Sequence, residues 1–509
     1  MCTLHRTREQ KGQTQVFTFN LADIRPTSVK YLTRKDAALV EGLTQGNHKL
    51  IQVQANGKVI GYKEELLMYA EDLEAAKLLK DLLKKEVEAC IELMKARLNK
   101  ERFSKHEDAL HFLREEVREV ELNEITYSQR LVYDDQKPWL LSFYGTDEKG
   151  KSYQYKWNIL DIDPTKISFE TKREWILVSM GTKQGKNYIR NEVDGELKNY
   201  TDKVVLLAPN IEAARIWVNA LKALQNMSYN PNSASLTRSG KVGLNSYLTF
   251  LEQNIGKIEI NRSGYVQQFY RLSPNHTEVL YEVEELSKGK GRKFRFNLAD
   301  IAPGKVKFAT NGKEVHVTLQ TYTSENFIQQ LEDDLPVGYT DKISIQAQDI
   351  EEARRLAKAF KEITQHAREV YIDPFFSAYP AGTFEQAFTF CQQNIEDINL
   401  RKNSFGQSLT KDPEKVCLLS FFLEDASKND AYIFRFHLED VDPGKLSIHT
   451  KGANLYLLLK SRGKKDWMEM TKNGERENFE DKLSIRCQSI EQAKGLLAAL
   501  SLLTKSCKQ

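Results

Sequence analysis

A chain of 509 residues exceeds what one hydrophobic core can hold and implies roughly three to five domains. Its hydrophobic fraction of 40% and aromatic fraction of 10% are those of packed globular chains, which excludes wholesale disorder. Lys and Arg number 74 against 71 Asp and Glu, so the basic excess of a dedicated nucleic-acid binder is absent, and no run of about 18 apolar residues marks a membrane-spanning helix.

The start, MCTLHRTREQKGQ, is polar and carries no apolar export stretch; a signal lost from the N-terminus stays open. The six cysteines show no paired spacing, and Cys391, Cys417 and Cys487 fall on apolar positions. This reads as a reducing compartment, the cytoplasm, with no disulfide framework. Self-similarity then organises the chain. FTFNLADIRP (from Phe17), YKWNILDIDP (Tyr155), FRFNLADIAP (Phe294) and FRFHLEDVDP (Phe434) carry the anchors Asn20, Asn158, Asn297 and His437, 138, 139 and 140 residues apart. DLEAAK (from Asp72), NIEAAR (Asn210), DIEEAR (Asp349) and SIEQAK (Ser489) recur at the same intervals. So do YKEEL, YTDKV, YTDKI and FEDKL, which begin at Tyr62, Tyr200, Tyr339 and Phe479.

These blocks divide the chain into residues 1–100, a copy cut short at its start with a long closing helix; 104–226; a Ser/Asn/Gly-rich linker, 227–243; 244–368; a Pro- and aromatic-rich linker, 369–382; and 383–509. In the second copy, Leu110, Leu113 and Val117 give a helix over 107–119 one apolar stripe. ITYSQRLVYD and WLLSFYGT follow as a hairpin, and alternation puts Tyr153, Tyr155, Trp157 and Ile159 on one strand face. KISFET, REWILVSM, NYIRNEV and KVVLLAP are four more strands. A helix from Glu212 closes the copy, with Ile216, Trp217, Leu221 and Leu224 on its apolar face and Asn210 as its cap.

Seven strands and a closing amphipathic helix resemble the pleckstrin-homology superfold, and the copies are similar to uncharacterised tandem modules of bacterial proteins of the Bacteroidetes group. The resemblance implies a mainly β, α+β chain of tandem barrels, each full copy preceded by an extra helix. It also implies peptide binding along strand five, at residues 172–182, 313–323 and 453–461. Trp175, Val178, Val315, Val317 and Tyr456 on those strands, with Trp467 on strand six, are the candidate partner-binding residues. The first-hairpin loops, DDQK (from Asp134), SPNHTE (Ser273) and KDPEK (Lys411), are neutral or acidic, so phosphoinositide binding is not expected.

No catalytic, metal-binding or cofactor-binding set emerges. Asp23, Asp161, Asp300 and Asp440 precede a proline by three residues and read as turn formers bonding their own backbone. GTKQGKN, from Gly181, lacks the spacing of a phosphate loop, and KGKGRK, from Lys288, reads as a solvated hairpin tip. The expected function is a non-enzymatic multivalent scaffold for protein segments. The alternatives are a structural subunit, self-associating through the incomplete first copy, and an enzyme with an active site between copies.

Overall fold

The computed structural model describes residues 2–10, 12–35, 37–100, 103–147, 149–225, 243–260, 263–272, 277–400 and 403–508. The linker expected at 227–243 lies, apart from Gly243, outside the described residues, as does 273–276 of the SPNHTE loop. Contacts gather the chain into two compact units, Met1–Pro231 with Thr310–Lys313, and Asn232–Ala309 with Glu314–Gln509.

Apart from Thr310–Lys313 of the third segment, which falls in the first unit, each unit holds two segments, and each segment contributes a large antiparallel sheet, a three-stranded sheet and a closing helix. In the first segment Thr3–Gln10, Gln13–Asn20, Ile51–Ala55 and Lys58–Lys63 form the large sheet. Lys30–Arg34, Ala37–Leu43 and Glu65–Ala70 form the small one, and α1 (Leu73–Lys100) packs on both. The second segment opens with α2 (His106–Glu116), which packs on its closing helix α3 (Ile211–Gln225). Between them lie a five-stranded sheet and the small sheet Ser168–Lys172, Trp175–Gly181, Lys203–Leu207. In the second unit α4 (Leu244–Asn254) pairs with α5 (Ile350–Val370). There, α6 (Pro374–Ala378) and α7 (Phe384–Asn394) both pack on α8 (Ile490–Ser506). Both large sheets of this unit have six strands.

Local chemistry accounts for these elements. The strand Lys137–Thr146 alternates strictly, burying Trp139, Leu141, Phe143 and Gly145. The closing helices start on capping side chains: Asp349 accepts from Glu352 N–H at 2.8 Å, and Ser489 from Gln492 N–H at 3.1 Å.

The expectation of tandem barrels of the pleckstrin-homology superfold fails. Among the described residues the strands form nine antiparallel sheets, and none closes. Where closure would need a backbone ladder between the two sheets of a segment, a buried glutamine stands instead. Gln129 donates to Leu207 O (2.6 Å) and accepts from Leu207 N–H (3.2 Å). Gln267 spans Gln346 O and N–H at 3.1 and 2.8 Å, and Gln407 spans Arg486 O and N–H at 3.2 and 2.8 Å. One carboxamide offers the donor and acceptor of one peptide unit, so it replaces a single rung and leaves the sheets open on either side of it.

Two further expectations are corrected. The strands at 172–182, 313–323 and 453–461 are the central strands of their three-stranded sheets, bonded on both sides, so they offer no edge for an added peptide. The cysteines form two disulfides, Cys2–Cys90 and Cys417–Cys507, 88 and 90 residues apart, while Cys391 and Cys487 are free and buried. Each bridge ties the residue whose carbonyl receives the N–H of Leu21 or Leu438 to the closing helix of the same segment.

Gln129→Met keeps side-chain volume and strands the two Leu207 backbone groups, at a cost of about 2–4 kcal/mol. Hydrogen-exchange mass spectrometry should show protection lost around Leu207; unchanged protection would mean the bridge holds nothing. Alkylation of the unfolded, unreduced chain should label Cys391 and Cys487 alone. Replacing Cys417 and Cys507 by Ser should lower the thermal midpoint, the closed loop being worth up to about 4–5 kcal/mol. Six labelled thiols would refute both bridges.

Candidate functional site

Two clefts open where the sheets part, one in the second segment and one in the fourth. In the second segment, period-two alternation sends Ile176, Val178 and Met180 into the core and leaves Trp175 and Leu177 on the other face. There they line a cleft of about 450 Å³ with Tyr127, Tyr153 and Leu207. The Tyr127 ring meets Trp175 edge-on at 4.7 Å, and Asp147, Lys149 and Lys151 border the opening. The fourth segment has the matching cleft, about 320 Å³, lined by Phe405, Asp425, Lys428, Lys451, Tyr456 and Arg486 among others. The Arg486 guanidinium lies 3.7 Å from the Phe405 ring centre and donates to Asn454 Oδ1 at 2.6 Å. In the third segment Glu314 stands at the position of Trp175 and receives the Tyr265 hydroxyl at 2.5 Å. Burial and this carboxylate hold the Tyr265 phenol far above its usual range, and burial lowers the imidazole of His316.

Trp175 and Tyr456 thus line two separate clefts. Val178, Val315 and Val317 are buried in the core. Trp467 precedes the strand Met468–Lys472, partly exposed, with Lys465 Nζ 5.2 Å from its ring centre. In the KGKGRK run, Lys288 pairs with Glu285, and Lys293 with Asp334 and Glu282, which offsets the basic charge. Gly181–Asn187 turns through a short 3-10 segment, Lys183–Gly185, with Thr182 Oγ1 donating to Lys186 O. Among the described residues no three His, Cys, Asp or Glu side chains are placed to hold a metal, and no helix is long and apolar enough to cross a membrane.

Two of the repeated aspartates, Asp23 and Asp300, act differently from the expected turn formers. The turn is capped by the asparagine before it: Asn20, Asn158 and Asn297 accept from the N–H two residues on, at 3.0, 3.0 and 2.9 Å. Asp23 and Asp300 reach across to the closing helix of the next segment in the same unit. Asp23 pairs with Arg215, while Asn20 donates to Glu212 at 2.9 Å. Asp300 takes Lys494 Nζ on both oxygens at 2.7 and 2.8 Å, and Lys494 also bonds Glu491. Burial pushes each aspartate up to about 6, against the pull of its cationic partner. Lys494 loses proton affinity by burial but regains more from Asp300 and Glu491, so its net shift is upward. Asp300 is therefore the group that titrates, since Lys494 has two acidic partners and Asp300 one basic one. The sequence did carry a signal for these cations: DLEAAK, NIEAAR, DIEEAR and SIEQAK all end in Lys or Arg.

The class that emerges is an α+β chain of open antiparallel sheets, with a buried ion pair joining the two segments within each unit. The chain matches no protein-family model and no curated protein.

A carboxyl whose folded pKa lies above its unfolded value binds more protons in the native state, so it makes stability fall as pH rises between the two. For Asp300 that window runs from 3.8 to about 6. Asp300→Asn should flatten the pH dependence of unfolding there by on the order of 3 kcal/mol. Parallel curves for parent and variant in chemical denaturation would rule this out.

Proposed function

We propose that the chain is a non-enzymatic scaffold that binds protein segments, one at each sheet-mouth cleft. The observation that carries the reading is one position lined three ways. Tyr127, Trp175 and two lysines border one cleft and Phe405, Tyr456 and Arg486 line the other, while at the matching place of the third segment Tyr265 bonds Glu314, with His316 two residues on. A constant frame with changing walls suits different short segments, and linked weak sites gain avidity without new contacts. The aromatic floor and lysine border of the second segment suit an acidic segment carrying an aromatic anchor. The two disulfides favour an oxidising compartment over the cytoplasm that cysteine spacing suggested.

A second reading, a subunit of a larger assembly, is favoured by the strand Thr3–Gln10. Among the described residues it pairs with Gln13–Asn20 alone and leaves one backbone edge open.

An array of acidic peptides containing Trp, Tyr or Phe, probed with the full chain, tests the scaffold. Saturable binding should weaken about tenfold or more in Trp175→Ala, the size of a hot-spot loss, with the thermal midpoint retained. No saturable peptide, or binding indifferent to both Trp175→Ala and Arg486→Ala, would defeat it.

A further inference from the structure

Within each unit the two segments meet in the same way. Asp23 pairs with Arg215 in one joint, and Asp300 with Lys494 in the other. Tyr62 of the first segment packs on the core of the second, and Phe327 and Tyr339 of the third pack on the core of the fourth. Gly61 approaches the carbonyl of Arg173, and Gly338 that of Gly452. The chain thus shows twice how one segment receives the next.

The same receiving positions stand open on the fourth segment. Asp440 has no ion pair or hydrogen bond within 4.0 Å among the described residues. Trp467, at the place of Phe327, is 39% exposed, and Phe479, at the place of Tyr62 and Tyr339, is 45% exposed. The first segment displays the complement. Lys77 bonds Glu74 at 2.6 Å, as Arg215 bonds Glu212 at 2.7 Å and Lys494 bonds Glu491 at 2.9 Å. Yet the Lys77 side chain is 41% exposed, against 12% for Arg215 and 14% for Lys494. Leu73 and Tyr31 are exposed, whereas their counterparts Ile490 and Phe169 lie in or against a core.

We propose that the fourth segment is a docking face for the first segment of a second copy of this chain, with Lys77 seated on Asp440. Charge complementarity and the two internal joints select this occupant. One substitution makes the seat weaker than the internal ones. Arg462 stands where Gln45 and Tyr322 stand in the joints, and donates to Val441 O, not to Asp440. Its charge nearby still competes with an incoming lysine. Such a contact is heterologous: it uses different surfaces on the two copies and does not close on itself, so copies add head to tail. The clefts and the Thr3–Gln10 edge play no part in it.

Sedimentation of the full chain over a hundredfold concentration range tests this. The mean mass should rise with concentration and fall back at high salt, which screens the pair. Asp440→Lys and Lys77→Asp should each shift the association midpoint at least tenfold. An equimolar mixture of the two should restore it, because each altered face then meets an opposite charge. Should either charge reversal unfold the chain, as judged by circular dichroism, Asp440→Asn and Lys77→Gln should show the same weakening without rescue. A constant monomer mass, association that neither substitution weakens, or a mixture of folded charge-reversal variants that fails to restore it would each overturn the proposal. Trp175→Ala should leave the association unchanged, which separates this result from the fate of the scaffold reading.

Discussion

A single glutamine carboxamide in each of the last three segments decides how far apart its two sheets stand. Gln129, Gln267 and Gln407 are buried, and each clasps the N–H and C=O of one residue on the facing strand. A full ladder there would have drawn the sheets into a barrel and sealed the mouth. With one rung, the backbone is satisfied at a single point and the strands diverge beyond it. The clasped residues then become cleft walls: Leu207 is held by Gln129 and Arg486 by Gln407, and each lines its cleft. The bridge thus fixes the backbone of a position whose side chain is left free to vary.

The joints between segments rest on a second buried polar device. An ion pair such as Asp300–Lys494 gains little net stability over an apolar contact, because both ions lose water on burial. Its value lies in selectivity. A helix start that brings no cation leaves the aspartate buried and uncompensated, which is far more costly than the pair itself is favourable. The aromatic residues packed beside the pair supply the apolar burial, and the ions decide which surface receives which.

Local pattern makes much of this legible in the sequence. Strand alternation over Lys137–Thr146 and the capped starts of the closing helices follow from periods of two and 3.6 residues and from single side chains. What failed was closure. It depends on whether Gln129 and Leu207, 78 residues apart, meet through backbone or side chain, and no period reports that. The glutamines do recur, 138 and 140 residues apart, but a lone polar residue within a strand reads as solvent-facing. Parity separated the candidate residues: Trp175 and Val178 are three apart on one strand, hence on opposite faces, and only Trp175 reaches the cleft. The aspartates were visible as a series, and their partners lie 192 and 194 residues on, beyond any local inference.

The two disulfides follow the same division between covered and open surfaces. Cys2–Cys90 and Cys417–Cys507 tie down the closing helices of the first and fourth segments, each of which leaves one joint surface exposed. In the third segment the corresponding positions are Thr277 and Ala367, both buried, and Thr277 bonds Asn297 at 2.5 Å. A segment covered by its neighbour gains stability from that burial, whereas one with an open face lacks part of it. A crosslink that removes conformational freedom from the unfolded chain supplies stability without any partner. The open segments can therefore keep aromatic and charged side chains at the surface and remain folded, which is what a face kept for intermittent docking requires.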